Sequence, residues 1–500
     1  MPLQENSSDR LIRLLSWTFT LSFVLITFLP RSLDDTMFMD GVTYASISRN
    51  MSLGIGSFWR PYFAESFWLP YDNASYFSGH PPLMFGLQSL LFRMMGDTTA
   101  VENVYDLLIL ICSILLIVKI WNKLFAENPA FKSFSWLAIL CWYGMTIVYY
   151  SMPNNFLDST MGVFCLLSCY FQLIFLEETD PGFKKYIWAV AAGLFVLCAF
   201  LTKGPVGLFP LAFSVLYAFT FLSGASFFSA IKAAAVVTGT FLVCLAAVLT
   251  FKPAYEFMST YFQGQVIQAV FQKREQTGVG LAGHFQLMKD LFRNVYPHLF
   301  ALIGLNLIAL LYRLKLAMSS EVLRITLFSG IVGLSGILPM LVSIKQYPHY
   351  LLPALPFIAF FAAGLLVEKV RALMSLKPTY ATIALVIATL VSWGVTVKKM
   401  NSPEKNVFAS NAREMRHYVA KSSTIGVCHD LYHNADIHSN FQRYHFLSLT
   451  TNIDSVKYIL ANTDCLPQFD PKKCAFVDLD GGFALVIRNT SSVRNVTRKR

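Results

Sequence analysis

Apolar residues gather into long blocks along this chain, separated by short polar turns. Eleven runs stand out, at about 11–30, 104–121, 133–150, 156–176, 186–202, 205–222, 233–251, 296–312, 323–343, 350–367 and 379–397. A hydrocarbon core about 30 Å thick needs roughly 20 apolar residues per helix, so each run predicts a membrane-spanning helix. Residues 14–30 are long enough to span and no small-residue cleavage site follows them, so the first run reads as a span rather than a removable signal. Three stretches depart from the pattern: 31–103, 252–295 and the polar tail from 398. In the first, residues 39–53 predict a short interfacial helix ended by Gly54 and Gly56. Residues 83–95 predict a second, opened by Pro81-Pro82. Thr99-Ala-Val-Glu102 has the form of a capping box at the start of the next span. The 252–295 stretch reads as a further interfacial segment. In the tail, β-forming runs at 424–428, 474–479 and 483–488 around Asp480-Gly481-Gly482 predict a small α/β domain. The expected architecture is a polytopic α-helical membrane protein of about 11 spans, with a membrane domain over 1–397 and a C-terminal extracytoplasmic domain over 398–500.

Composition agrees: 55% of 500 residues are hydrophobic and the mean hydropathy is +0.52, which excludes an ordinary soluble protein. The formal charge of +11 does not point to nucleic acid, because its distribution reads as orientation. Arg10 and Arg13, Lys123 and Lys132, Lys184 and Lys185, Arg313 and Arg324, and Lys369, Arg371 and Lys377 all fall on one side if the N-terminus is cytoplasmic. The 31–103 loop, the 252–295 stretch and the tail then face outward, which implies a multi-pass protein of the cytoplasmic (inner) membrane. Six of the nine cysteines lie in spans and read as small packing residues. Cys428, Cys465 and Cys474 lie in the tail, where a Cys465–Cys474 bridge is expected with one thiol left over. Asn73-Ala-Ser75 and two tail sequons acquire meaning only in a glycosylating secretory pathway. No Cys/His metal spacing occurs.

The candidate chemistry lies in a convergence. Asp40, His80, Asp158, Lys203, Lys345 and His349 belong to different segments, yet this topology puts all of them at the outer mouth. Ionisable groups at membrane depth are costly and tend to mark function. A carboxylate can take the proton of an attacking hydroxyl, and cationic donors can steady a departing phosphate. Asp40 is the candidate catalytic base. His80, Asp158, Lys203, Lys345, Tyr347, His349 and Tyr44 are the candidate substrate-binding residues. Plainer readings stand beside these. Asp40 also suits a helix N-terminus, His80 a turn before proline, Lys203 snorkelling, Asp158 a structural ion pair, and Tyr44 simple packing.

The first-loop Asp40 followed by Tyr44-Ala45, the Pro81-Pro82-Leu83 after an aromatic stretch, Leu201-Thr-Lys-Gly-Pro205 and Tyr350-Leu-Leu-Pro-Ala-Leu-Pro356 come in a characteristic order. Together they resemble the GT-C glycosyltransferases of the protein mannosyltransferase and lipid A aminoarabinose transferase type, over most of residues 10–370. The resemblance implies a polyprenyl-phosphate sugar donor, a lipid or protein acceptor at the outer leaflet, and inversion at the anomeric carbon, with the essential loop Asp at Asp40. Many members carry Lys before the Pro-Pro and Arg before the Tyr-Leu-Leu-Pro; here those positions are His80 and His349. No cofactor is required by these residues, although a divalent metal remains compatible with them. A transporter or flippase for lipid-linked sugars is the main alternative, and a glycan ligase or polymerase a third. The charge-poor interiors of the spans favour surface chemistry over alternating access.

Overall fold

The computed structural model describes residues 7–69, 76–178, 182–221, 224–271, 280–314, 316 and 318–488. The sequon at Asn73 and the two after residue 488 lie outside them. The chain divides into a helical unit, Met1–Ser32 with Asp106–Ser402, and a mixed unit, Leu33–Tyr105 with Pro403–Arg500. The long first loop therefore clusters with the tail rather than with the spans.

In the helical unit most of the apolar runs are helices: Ser7–Arg31, Leu157–Glu177, Tyr186–Lys203, Gly224–Leu249, Gln286–Leu311, Ser320–Ile337, Leu355–Leu376 and Pro378–Met400. Helix Ala100–Leu124 carries the chain into it from the first loop. Among the described residues, eight helices are long and apolar enough to cross a membrane. Runs 186–202 and 205–222 are two parts of one such stretch, Phe183–Thr220. Its backbone tightens to a 3-10 helix over Gly204–Ala212, where Pro205 and Pro210 cannot donate to an α ladder. Helix Leu355–Leu376 ends in charged Glu368, Lys369 and Arg371 and is not among the eight. Helix Tyr186–Lys203 packs closely on Gly224–Leu249: a Cβ on Gly193 would lie 2.6 Å from the Thr240 side chain and from the Val237 carbonyl, a small-residue contact typical of membrane helices.

Run 133–150 is not one helix. It breaks between Ser135–Tyr143 and Thr146–Ser151. The break is held by a polar row on helix Gln286–Leu311, which starts ten residues before the apolar run 296–312 and so shortens the expected loop. Gln286, Asp290, Asn294 and His298 recur every four residues, on one face. The Asn294 side chain accepts the Ile147 N–H at 2.9 Å, and His298 Nε2 lies 2.9 Å from the Cys141 carbonyl, to which it donates. In apolar surroundings backbone groups freed by a break need partners inside the protein. Run 252–271 forms helix Lys252–Tyr261 and a π-helical turn, Phe262–Ile267.

In the mixed unit, helix Met39–Ser52 has the expected bounds, with Gly54 and Gly56 at positive φ after it. It exposes no apolar face, however. Every residue from Gly41 to Met51 is buried, because Ser46 and Ser48 turn their hydroxyls onto carbonyls four residues back and the helix packs on Leu83–Met95 and Ala435–His445. Helix Leu83–Met95 is amphipathic, with Met84, Phe85, Gln88, Ser89 and Phe92 inward and Leu90 and Met94 exposed. The next helix begins at Ala100 as anticipated, yet Glu102 does not close a capping box alone: its carboxylate takes Arg443 in two contacts of 2.5 and 3.3 Å.

The loop holds a two-residue ribbon, β1 (Gly56–Ser57) with β2 (Arg60–Pro61), and the tail a five-stranded sheet. The sheet strands are β3 (Thr424–Val427), β4 (Ser448–Thr450), β5 (Tyr458–Ala461), β6 (Cys474–Asp478) and β7 (Ala484–Arg488), in the order β4-β3-β5-β7-β6. Strand β3 runs parallel to β4 and β5, while β7 is antiparallel to β5 and β6. This topology corrects the expected disulfide. Cys428 follows β3 and Cys465 follows its parallel neighbour β5, so both reach the same sheet edge and pair, with Cα atoms 6.4 Å apart. Cys474 opens edge strand β6 and remains a thiol.

His438 lies inside this unit. Its Nε2 donates to the Tyr432 carbonyl at 2.7 Å, and Nδ1 faces the Ser66 hydroxyl at 3.4 Å. Burial pushes its pKa down to about 4.

Two predictions follow from these contacts. Asn294→Leu strands a buried N–H and should cost ~1–3 kcal/mol in the thermal unfolding of detergent-solubilised protein, while Asn306→Leu, on the exposed part of the same helix, should be nearly neutral. For His438 the folded-state pKa is depressed, so between about 4 and the ordinary 6.5 the unfolded chain binds more protons. Stability should therefore fall with acidification across that window, by on the order of 3 kcal/mol. Denaturation midpoints of wild type and His438→Gln measured along a pH series check this, and the variant should lose most of the slope.

Candidate active site

The five candidates in the helical unit are brought together. Asp158 is the second residue of helix Leu157–Glu177, and Lys203 is the last of Tyr186–Lys203. The two helices pack side by side, and the Lys203 ammonium donates to Asp158 Oδ2 in a buried ion pair. Two features fix Lys203. Its carbonyl accepts the Tyr261 hydroxyl at 3.1 Å, and Gly204 follows at φ +76 with Tyr261 packed where a Cβ would lie. Only glycine fits that turn, which explains the Lys-Gly-Pro order. Asp158 Oδ1 is buried and has no hydrogen-bond partner among the described residues, and the same holds for the hydroxyls of Ser151 and Ser159. An ionised carboxylate can only accept, so Oδ1 is suited to a hydroxyl-bearing ligand.

From Lys203 a chain of rings leads to the other three. Its Nζ sits 4.7 Å over the Tyr350 ring, within cation–π range. Tyr350 meets His349 edge-on with centroids 4.9 Å apart, His349 stacks on Tyr347 at 5.5 Å, and Lys345 Nζ lies 5.8 Å over Tyr347. The Phe156 ring packs against His349 at 5.0 Å. The arrangement is a ladder of flat aromatic faces with an ammonium at each end.

Asp40, Tyr44 and His80 belong to the mixed unit. Asp40 lies in the first turn of helix Met39–Ser52, where the helix dipole favours a negative charge. Tyr44, one turn on, is buried and meets the His80 ring edge-on at 5.8 Å. Phe77 and Phe85 complete this aromatic cluster, 6.4 Å from His80 and 5.6 Å from Tyr44.

Sequence reading missed Tyr350, Phe156, Tyr261 and Gln346. The aromatic Tyr350-Leu-Leu-Pro start was itself a signal for the first. Tyr261 lies in a stretch whose length alone gave no hint of contact with Lys203. Among the described residues no three His, Cys, Asp or Glu side chains cluster so as to hold a metal ion.

Removing one member of a buried ion pair leaves an uncompensated charge, which typically costs ~3–5 kcal/mol. Lys203→Met should therefore destabilise the detergent-solubilised protein strongly in thermal unfolding, and adding Asp158→Leu to that variant should recover a large part of the loss.

Residues 79–251 match the family model described as dolichyl-phosphate-mannose-protein mannosyltransferase, a segment that contains His80, Asp158 and Lys203. No curated protein matches the chain in sequence. Among solved structures, ArnT from Cupriavidus metallidurans bound to undecaprenyl phosphate superposes with a TM-score of 0.64 at 14% identity, covering 95% of this chain and 98% of that one. Its apo form gives 0.63 at the same identity and coverage. The glycosyltransferase resemblance carried by the ordered motifs is borne out: the chain has the ArnT fold and, across residues 79–251, the sequence pattern of the mannosyltransferase family.

Proposed function

We propose that this protein is an inverting membrane glycosyltransferase that takes a sugar from a polyprenyl phosphate. The acceptor is a hydroxyl or phosphate of a lipid or protein on the outer side of the inner membrane, with the N-terminus cytoplasmic. The observation that carries this reading is the family pattern over 79–251, which encloses the buried Asp158–Lys203 pair at the foot of the cationic–aromatic ladder.

In this reading Asp40 takes the proton of the acceptor hydroxyl as its oxygen attacks the anomeric carbon. The bond from that carbon to the phosphate oxygen breaks, and the phosphate leaves with the electron pair. A buried Asp–Lys pair is neutral overall, so the charge that meets the phosphate comes mainly from Lys345, with donors from His349, Tyr347 and Lys203. Asp158 Oδ1 accepts from a sugar hydroxyl. His80, held against Tyr44, orients donor or acceptor, the 252–295 stretch helps to close the site, and the tail domain over 398–500 selects the acceptor or shields the cavity.

Asp290 and His298 lie inside a candidate span, a feature a transporter would share. Here His298 secures the broken 133–150 run and Asp290 accepts from Gln286 and Arg293 of its own helix, structural roles that support surface chemistry instead.

Asp40→Asn should lower sugar transfer from an undecaprenyl-phosphate sugar by about 10²–10⁴-fold and leave binding of undecaprenyl phosphate intact. Product formation by purified wild type and variant with a panel of lipid and protein acceptors checks this. Equal turnover removes Asp40 from its role, and movement of the carrier-linked sugar between leaflets with no new glycosidic bond favours a transporter.

A further inference from the structure

Lys345 and Tyr347 share one side of an extended stretch, and His349 stacks on Tyr347 from the 3-10 helix Pro348–Leu351 that follows. Tyr347 has φ −117 and ψ 146, and in extended chain successive side chains point to opposite sides. Burial follows that alternation: Ile344 and Gln346 are buried at 5% and 1% exposure, while Lys345 and Tyr347 are half-exposed. Nothing in a five-residue extended segment fixes its own register, since it has no sheet partner. Gln346 supplies one. Its side-chain oxygen accepts the Leu287 N–H at 2.7 Å, and its amide nitrogen donates to the carbonyls of His284 and Ser343 at 2.8 Å and of Met340 at 3.3 Å. A second tie runs beside it, from His284 Nδ1 to the Leu341 carbonyl at 2.7 Å. Leu287 is the second residue of helix Gln286–Leu311, so its N–H has no intrahelical acceptor, and Gln346 caps it from a distance.

We infer that Gln346 is a positioning residue for the carrier phosphate. By pinning the extended segment to the start of helix Gln286–Leu311, it keeps Lys345 and Tyr347 on the opposite side, and with Tyr347 the ring on which His349 stacks. A slip of one residue would turn Lys345 and Tyr347 inward, bring Ile344 and Gln346 out, and leave His349 without its stacking partner. The role in phosphate binding rests on the function proposed above, whereas the register itself does not.

Two variants separate the effects. Gln346→Met keeps the volume and removes the polar atoms. Gln346→Glu keeps an acceptor for Leu287 but, when ionised, sets a carboxylate against three carbonyls; protonated, it again offers an O–H and a C=O. The dissociation constant for undecaprenyl phosphate should rise about tenfold in Gln346→Met. In Gln346→Glu it should rise at neutral pH and return toward the wild-type value on mild acidification, a rescue that general destabilisation would not give. Diethyl pyrocarbonate labelling of His349, followed by mass spectrometry in mildly extracted membranes, reads the register with no substrate and should change severalfold in both variants at neutral pH. Unchanged labelling in either variant overturns the positioning role. Altered labelling with an unchanged dissociation constant, or with a loss in Gln346→Glu that acid does not relieve, overturns the link to phosphate. Altered labelling in a protein whose wild type binds no undecaprenyl phosphate overturns the proposed function and leaves the register standing.

Discussion

An apolar medium leaves no solvent partner for a backbone group, so every departure from regular helix must be satisfied from within the protein. The candidate residues of the helical unit all lie at or beside such departures. Asp158 follows a turn in which the Asn155 N–H, at positive φ, donates to Asp106 Oδ2 at 3.0 Å. Lys203 ends a helix whose last carbonyl is taken by Tyr261. Lys345 and Tyr347 sit on extended chain tied by Gln346, and His349 in the 3-10 helix Pro348–Leu351 that follows it. The break before Thr146–Ser151, a short helix that leads into the Asp158 turn, is closed by Asn294 and His298. Polar side chains here act first as substitutes for water at the backbone, and the irregular chain they stabilise presents the chemistry.

The mixed unit meets the same demand with charge. Arg49 is fully buried; it donates to the carbonyls of Gln442 and Arg443 at 3.0 and 2.7 Å and to Asn50 Oδ1 at 2.8 Å, and it lies flat on Phe446, 3.3 Å from the ring centre. Burial, and then the neighbouring Arg443, pull its pKa down to about 9. Burial acts in the same sense on Arg443, yet Glu102 and Asp97 outweigh it and hold that guanidinium charged. Asp35 takes Arg413 through both oxygens, at 2.5 and 2.7 Å. These pairs join the first loop to the tail within one unit. Phe446 stands in the left-handed region at φ +59, a conformation that usually costs about 1–3 kcal/mol outside glycine. The stacked guanidinium on its ring helps to offset that cost.

Features governed by local chemistry were legible in the sequence. The bounds of Met39–Ser52 follow from Gly54 and Gly56, the start of Leu83–Met95 from Pro81-Pro82, and most spans from their apolar length. Features governed by a distant partner were not. Helix 39–52 reads as interfacial in the sequence; the hydroxyls of Ser46 and Ser48 are satisfied within the helix, but only the tail carbonyls that take Arg49 and the loop carbonyls that take Asn50 explain why those two are buried. Helix Gln286–Leu311 hid its first turns behind a polar row, of which Asn294 and His298 have partners 147 and 157 positions away in the chain. The cysteine pairing depended on which strands are parallel neighbours, and separation in sequence favoured the wrong pair. Strands β4 and β5 were missed for a similar reason: three or four residues carry little pattern of their own.

His349 in place of the arginine common before the Tyr-Leu-Leu-Pro also has a physical account. The position is bordered by flat rings, Tyr347 stacked on one side with Phe156 and Tyr350 against it. A guanidinium and an imidazole are both planar and both suit such a slot, but only the guanidinium brings a permanent charge. On the proposed function, that charge must come from elsewhere in the same cluster, and alternation along the extended chain puts Lys345, two residues before Tyr347, on the same side as the Tyr347 ring, on which His349 stacks and over which Lys345 is already poised. The segment thus divides between two residues, shape at His349 and charge at Lys345, what one arginine would combine, and such a division works only if the register between them is held.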